Sequence, residues 1–211
     1  MHSEPSFGSS ARAELAAACA RLVADGGLDY AQARRRALRE LYGERGQAPR
    51  DAMPSDEEID EALREHLALF DDEHAPRLAR MRRAALALMD RLAPMTVYAT
   101  GAVWKGIAAA HVPIHLQVFH DNGKEVAFAL LDAGIDVEPA EVTHFAGRGS
   151  VEALTFQWRD EPFVVALYDS HDLRGALRPR DGRRERGDRA ALAALAAGPA
   201  ADPQADGSAA R

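Results

Sequence analysis

Between Thr100 and Phe119 the chain reads TGAVWKGIAAAHVPIHLQVF, and the residue types and spacing of this stretch could serve phosphate chemistry. Gly101 and Gly106 follow a short apolar run, and glycine lets a backbone come close to an anion. Lys105 lies between them, where it could meet a phosphate as a point charge or extend into solvent. Trp104 could stack on a base, or pack the turn against the helices that precede it. His115 stands in the next apolar run, Ile114-Leu116-Val118. Gly101, Lys105 and Gly106 are the residues of this turn that could meet an anion.

Other chemistries find less in the chain. A transition-metal site would need imidazoles that converge. His111, His115, His120, His144 and His171 are available, but no H-E-x-x-H or similar spacing occurs, so no metal ligand is assigned and half-buried or surface histidines are expected. Ser150 and Ser170 lack a nucleophile elbow. Cys19 is the sole cysteine, which excludes an internal disulfide and a thiolate cluster. It falls on the apolar face of a predicted helix, where a buried free thiol in a reducing cytoplasm is the expected state. No catalytic residue is assigned.

The elements that would position the glycine turn follow from periodicity. Leu15, Cys19, Leu22 and Val23 share one helical face, and Gly26-Gly27 stops that helix. Asp29 is an N-cap for a helix to Tyr42, with Tyr30, Ala37, Leu38 and Leu41 as its stripe and Arg34, Arg35, Arg36 and Arg39 on a solvated face. Gly43 to Pro54 reads as a loop. Ser55 and Glu58 form a capping box, ahead of the stripe Ile59, Leu63, Leu67, Phe70. A further helix runs from about His74 to Leu92 and ends at Pro94.

At Met95 the pattern changes. Strands are expected at Thr96–Thr100 and Val112–Phe119, a helix at Lys124–Asp132 capped by Gly134, an extended segment from Ile135 to Phe145, and a hairpin of Val151–Trp158 with Pro162–Tyr168. After Leu177 the ordering signals fade, with at most a helical turn at Ala190–Ala197. The expected divisions are a disordered N-terminus at 1–10, a helical region at 11–94, an α+β domain at 95–177, and a basic, then Ala/Pro-rich, flexible tail at 178–211. Helices followed by strand, turn, helix, strand and hairpin make an α+β order, with the helical half packed on a small mixed sheet.

Composition bounds the partners. The chain has 211 residues, a formal net charge of −7, 47% hydrophobic and 28% charged residues, which is ordinary for a globular protein. Its mean hydropathy is −0.30, and no apolar run approaches the ~20 residues that span a bilayer, so no membrane partner is expected. The N-terminus lacks a basic segment followed by an apolar core, so no secretory signal is read. The acidic balance argues against nucleic acid, although Arg174 to Arg189 is a basic run. Arginine far outnumbers lysine and alanine is abundant, which reads as the codon bias of a GC-rich genome.

In Thr96–Phe119 the chain resembles the DNA polymerase β-like nucleotidyltransferase superfamily, in its minimal bacterial form. That family's motif is G-S-x-x-x-G, then D-x-D on the following strand, with a third carboxylate on a later strand. The carboxylates hold Mg²⁺ ions that bridge a nucleoside triphosphate. Gly101 and Gly106 match the two glycines, while Ala102 replaces the serine. Pro113 and His115 stand at the two aspartate positions, and Phe163–Leu167, where the third acid belongs, holds none. Asp169 lies just past that strand. One histidine without carboxylates is a poor Mg²⁺ site.

The resemblance implies a non-catalytic member of the family, a pseudoenzyme that binds a nucleotide, a phosphate or a protein partner, the last through the helical half, with no cofactor. The alternatives are an active nucleotidyltransferase with relocated ligands, such as His115 with Glu152 or Asp169 and with Mg²⁺-nucleotide, and an interaction module without a ligand. LDYAQARRRALRELYG, PSDEEIDEALREHLALF and the 100–138 stretch also resemble an uncharacterised bacterial family often labelled UDP-N-acetylmuramate–alanine ligase. The residues do not support that label, because the chain has no glycine-rich loop ending in Lys-Ser/Thr.

Overall fold

In a computed structural model, residues 7–43, 49, 51–110, 112–179 and 183–198 are described. The expected disorder of the first residues and of the chain from 199 onward lies outside them, as do residues 44–48 and 50 of the 43–54 loop and His111. The fold is α+β, with a helical N-terminal half and a six-stranded mixed sheet. The chain divides into two compact units. One is residues 1–78 with 105–112, the other 79–104 with 113–211.

The helical unit holds α1 (Phe7–Gly26), α2 (Tyr30–Tyr42), α3 (Asp56–Phe70) and the first turn of α4 (His74–Arg91). Helix α1 starts at Phe7, inside the stretch expected to be disordered. Two capping boxes set the starts of α2 and α3. Asp29 accepts from the Gln32 N–H while the Gln32 side chain takes the Asp29 N–H, and Ser55 and Glu58 do the same. Leu15, Cys19, Leu22, Ala33, Ala37 and Ile59 form the core. The arginine face of α2 is partly neutralised, Arg34 by Asp56 at 2.5 Å and Arg36 by Glu40 at 3.1 Å.

The sheet unit contains the rest of α4, β1 (Thr96–Thr100), α5 (Gly101–Lys105, except its last residue), β2 (Ile114–Phe119), α6 (Gly123–Asp132), β3 (Glu138–Thr143), β4 (Ser150–Trp158), β5 (Glu161–Tyr168), α7 (Leu173–Ala176), β6 (Arg186–Gly187) and α8 (Arg189–Ala197). The strand order is β3-β4-β5-β2-β1-β6, and only β2 and β5 run parallel. The turn between β4 and β5 is Arg159-Asp160, both with positive φ, 54° and 63°, which fits the twist of a tight hairpin.

Alternation sorts the strand residues onto two faces. Val97, Ala99, Ile114, Leu116, Val118, Leu154, Phe163 and Val165 share one face and are buried. Helices α4 and α6 lie on this side. Arg80 of α4 pairs with Glu161, Arg91 lies over Trp158, and Gly123 abuts Leu167. At one end of the opposite face Phe119 and Tyr168 stack at 5.3 Å, covered by Phe145, Leu173 and Ala176. Further along, that face carries Tyr98, Thr100, His115, Gln117 and Thr155 among small aliphatic residues such as Ala153, Val164 and Ala166.

The region expected as a flexible tail holds strand β6 and helix α8. Strand β6 pairs antiparallel with β1, and Arg189 of α8 makes an ion pair with Asp90 of α4. Arg82 of α4 also donates to the Leu195 carbonyl at 3.0 Å. A two-residue strand leaves no periodicity to read, which is why the sequence pattern misses it. The expected strand at Val112 starts later, at Ile114, and only Glu138–Thr143 of the extended 135–145 segment is strand.

Candidate functional site

The sheet register brings Gly101 and His115 together. Thr100 is opposite His115 in the β1–β2 ladder, and Gly101 follows with φ +66°, turning the chain from strand into α5. A Cβ at Gly101 would lie 3.5 Å from the His115 Cβ and Cδ2, so the ring rests on the glycine. His115 is half-buried, and burial lowers its pKa, which keeps the imidazole neutral near pH 7. It makes no hydrogen bond among the described residues. A neutral ring of this kind can exchange hydrogen bonds with a ligand but supplies no anionic oxygen for Mg²⁺.

The rest of the expected glycine turn divides. Gly101 to Trp104 belong to the sheet unit, and Lys105 and Gly106 to the helical unit. Helix α5 has only five residues, too few turns to sum an appreciable dipole at its start. Ala102 is half-buried. Lys105 Nζ is 2.8 Å from Oδ2 of buried Asp60, and Asp60 Oδ1 accepts from the Tyr30 hydroxyl. The Lys105 carbonyl accepts from Arg64 at 3.3 Å. Burial and the bond to Asp60 push the Tyr30 hydroxyl well above its ordinary pKa. Lys105 thus has a carboxylate partner and is tied to α3, against its expected place as a phosphate contact. Gly106 has φ +76° and keeps its role as a turn residue. Trp104 corrects the expected packing on the preceding helices: its indole N–H donates to the Arg184 carbonyl at 2.8 Å and its ring fills the space over Gly187.

The relocated carboxylates do not gather around His115. Glu152 faces the other side of the sheet, because Ala153, its neighbour, aligns through Ala166 with Gln117 on the His115 side. Asp169 follows Tyr168, which pairs with Phe119, four residues or roughly 13 Å along β2 from His115. Glu161 opens β5, but it is buried on the opposite face, 2.6 Å from Arg80.

His120 and His144, unlike His115, have local partners. His120 Nε2 is 2.8 Å from Glu125, and His144 Nδ1 accepts from the Ala146 N–H at 3.0 Å. Among the described residues, Asp169, His171 and Asp172 place ligand atoms within 4.8 Å of one another, but Asp172 already meets Arg148 at 2.9 Å.

Sequence reasoning missed a polar row across the open face. Arg186, Thr100, His115, Val164, Thr155 and Glu138 lie side by side on the six strands. Tyr98 and Gln117 flank it one step further along, and the Gln117 Oε1 is buried without a hydrogen-bond partner. No spacing within the chain encodes such a row, since it requires the register of every ladder. At the β3 end a cleft of about 600 Å³ opens, lined by Pro113, Asp136, Glu138, Thr155, Gln157 and Val164 among others. It offers hydroxyl, amide and carboxylate groups and no lysine or arginine.

Among the described residues, no helix is long and apolar enough to cross a membrane. No protein-family model matches the chain, and no curated protein or solved structure is similar to it.

Proposed function

We propose that this chain is a non-catalytic, nucleotidyltransferase-like protein that uses the open face of its sheet to hold a nucleotide without a metal ion. The observation that carries the reading is the pairing of positive-φ Gly101 with a neutral His115 where the family places carboxylates. Along the polar row the nearest acid is Glu138, three strands or roughly 14 Å away. The adjoining cleft suits the base and sugar of a ligand better than its phosphates, because Thr155 and Gln157 can hydrogen-bond while Asp136 and Glu138 repel anions. A cytoplasmic setting fits the buried free thiol of Cys19.

Titration calorimetry with nucleosides and nucleoside triphosphates, with Mg²⁺ and with chelator, tests this. Binding that is equal in both conditions and weakened by Thr155→Ala or Gln157→Ala is expected. The idea is sunk by no binding of any of them. Mg²⁺-dependent nucleotidyl transfer would establish the enzymatic alternative instead.

A second reading, protein binding through the helical unit, is favoured by the end of α3. Leu69 and Phe70 are 73% and 74% exposed there, beside a shallow groove between α1 and α3 lined by Ala17, Ala18 and His66. Sedimentation of the protein with and without Leu69→Ser and Phe70→Ser tests the simplest case, a second copy of the chain. A larger species lost on substitution supports it, and a monomer in both counts against it.

A further inference from the structure

The return of the chain to β1 through β6 gathers part of the basic run into one small pocket. A cavity of about 250 Å³ at this edge of the sheet is lined by Tyr98, Arg178, Arg184, Glu185, Arg186 and Asp188 together with apolar neighbours. The backbone that carries its arginines is anchored. Trp104 donates to the Arg184 carbonyl and Thr100 Oγ1 to the Glu185 carbonyl, each at 2.8 Å, and Arg186 pairs with Thr100 in the ladder.

Arg186 is the informative residue. Its guanidinium carbon lies 4.9 Å from the Phe145 ring centre, and its Nε and Nη1 are buried with no hydrogen-bond partner. Burial lowers its pKa. No carboxylate of the described residues makes an ion pair with it. Glu185 acts on it through charge alone and has interactions of its own, and Asp188 Oδ1 is taken by the Ala191 N–H at the start of α8. Among the described residues Arg178 and Arg184 make no ion pair either, whereas Arg21, Arg34, Arg77, Arg80, Arg148 and Arg189 all have acidic partners. A desolvated, unneutralised cation is costly to maintain and favours an anion in the cavity it lines. Exposed Arg178 and Arg184 line the same cavity, so three arginines meet there against the two acids Glu185 and Asp188, in a chain of net charge −7.

We propose that this pocket binds the phosphate group of a small phosphomonoester or of free phosphate. Guanidinium groups match phosphate oxygens in a planar, two-pronged way. The cavity is below the ~300–1,000 Å³ of larger ligand sites, which fits a phosphate with a short substituent. Tyr98 supplies an aromatic wall for that substituent. The assignment does not rest on nucleoside binding at the Pro113 cleft.

Thermal melts and calorimetry of the full chain test it, with inorganic phosphate, phenyl phosphate, acetate and chloride at matched ionic strength. Phosphate and phenyl phosphate should bind and raise the Tm, with phenyl phosphate the tighter if the substituent meets Tyr98, while acetate and chloride do neither. Arg178→Gln with Arg184→Gln, both exposed, should weaken phosphate at least tenfold while leaving the circular dichroism and ligand-free Tm unchanged. Arg35→Gln with Arg39→Gln on α2 should change nothing. Phosphate no better than chloride, acetate as good as phosphate, or equal losses in both double variants would overturn the proposal. Nucleoside binding at the Pro113 cleft should survive Arg178→Gln/Arg184→Gln, so the two assignments fail separately.

Discussion

Two polar residues, buried Asp60 and half-buried His115, set the measurable behaviour of their surroundings. Asp60 accepts from Tyr30 and pairs with Lys105, so Asp60→Ala removes a carboxylate shared by a hydroxyl and an amine. It should destabilise the helical unit by about 2–4 kcal/mol in urea unfolding, and Lys105→Met by less, since Tyr30 still satisfies Asp60. His115 acts through pH. Its folded pKa is depressed by burial, while the unfolded imidazole keeps the ordinary value of 6.5. Below that value the unfolded state binds more protons, so stability falls as pH drops through 6.5 and levels off only beneath the folded pKa. His115→Gln should therefore flatten the change in urea midpoint between about pH 7 and pH 5. Equal pH dependence in both proteins would show that His115 is not the group concerned. At this scale the sequence was readable where a residue's partner lies one turn away, as with Ser55 and Glu58. The bond from Lys105 to Asp60 joins residues 45 apart in the chain, and nothing around Lys105 distinguishes a neutralised amine from a free one.

Among the elements, the turn after β1 and the short β6 invite direct tests. Gly101→Ala forces a Cβ into left-handed backbone but meets His115 only at ordinary contact distance, so the cost is conformational, about 1–2 kcal/mol. Gly187→Ala is different in kind. Its Cβ would sit 2.0 Å from the Trp104 ring, and either β6 or the indole must move. A loss of about 1–3 kcal/mol is expected, accompanied by a shift in tryptophan emission. Pairing it with Trp104→Ala should recover part of the loss, and no recovery would mean that the clash is elsewhere. Asp160→Gly, by contrast, should raise the Tm, since Asp160 holds φ 63° in the hairpin turn; a gain of about 0.5–1 kcal/mol is expected. Helix starts and the hairpin were legible because caps and turns are local chemistry. The open face was not, because its polar row exists only once six strands are in register, and β6 contributes two residues that no pattern marks as strand.

For the molecule as a whole, the helical unit is not a contiguous N-terminal piece. It includes residues 105–112, which supply Lys105 to Asp60 and the Ala108 carbonyl that accepts from Arg77 at 3.2 Å. A fragment ending at Pro94 should consequently show less helix by circular dichroism and a broader melt than the same residues show in the full chain. A sharp, fully helical melt of the fragment would mean that the inserted segment contributes little. The α+β class was legible from the order of patterns along the chain, but this exchange of segments was not, because it depends on where the turn at Gly101–Gly106 leads the backbone.

The two rims of the sheet also bear on how the protein behaves in concentrated solution. One rim is β3, whose Pro139 has no N–H to offer and whose Glu138 and Glu141 would bring like charge against like in a second copy. The other is β6, only two residues long and followed at once by Asp188 and α8. The first interrupts and charges the ladder an incoming strand would extend, and the second is too short to offer one, so both guard against edge-to-edge aggregation. Replacing Pro139 and Glu141 with valine would lengthen the sticky rim of β3, and light scattering on heating would register the lost protection.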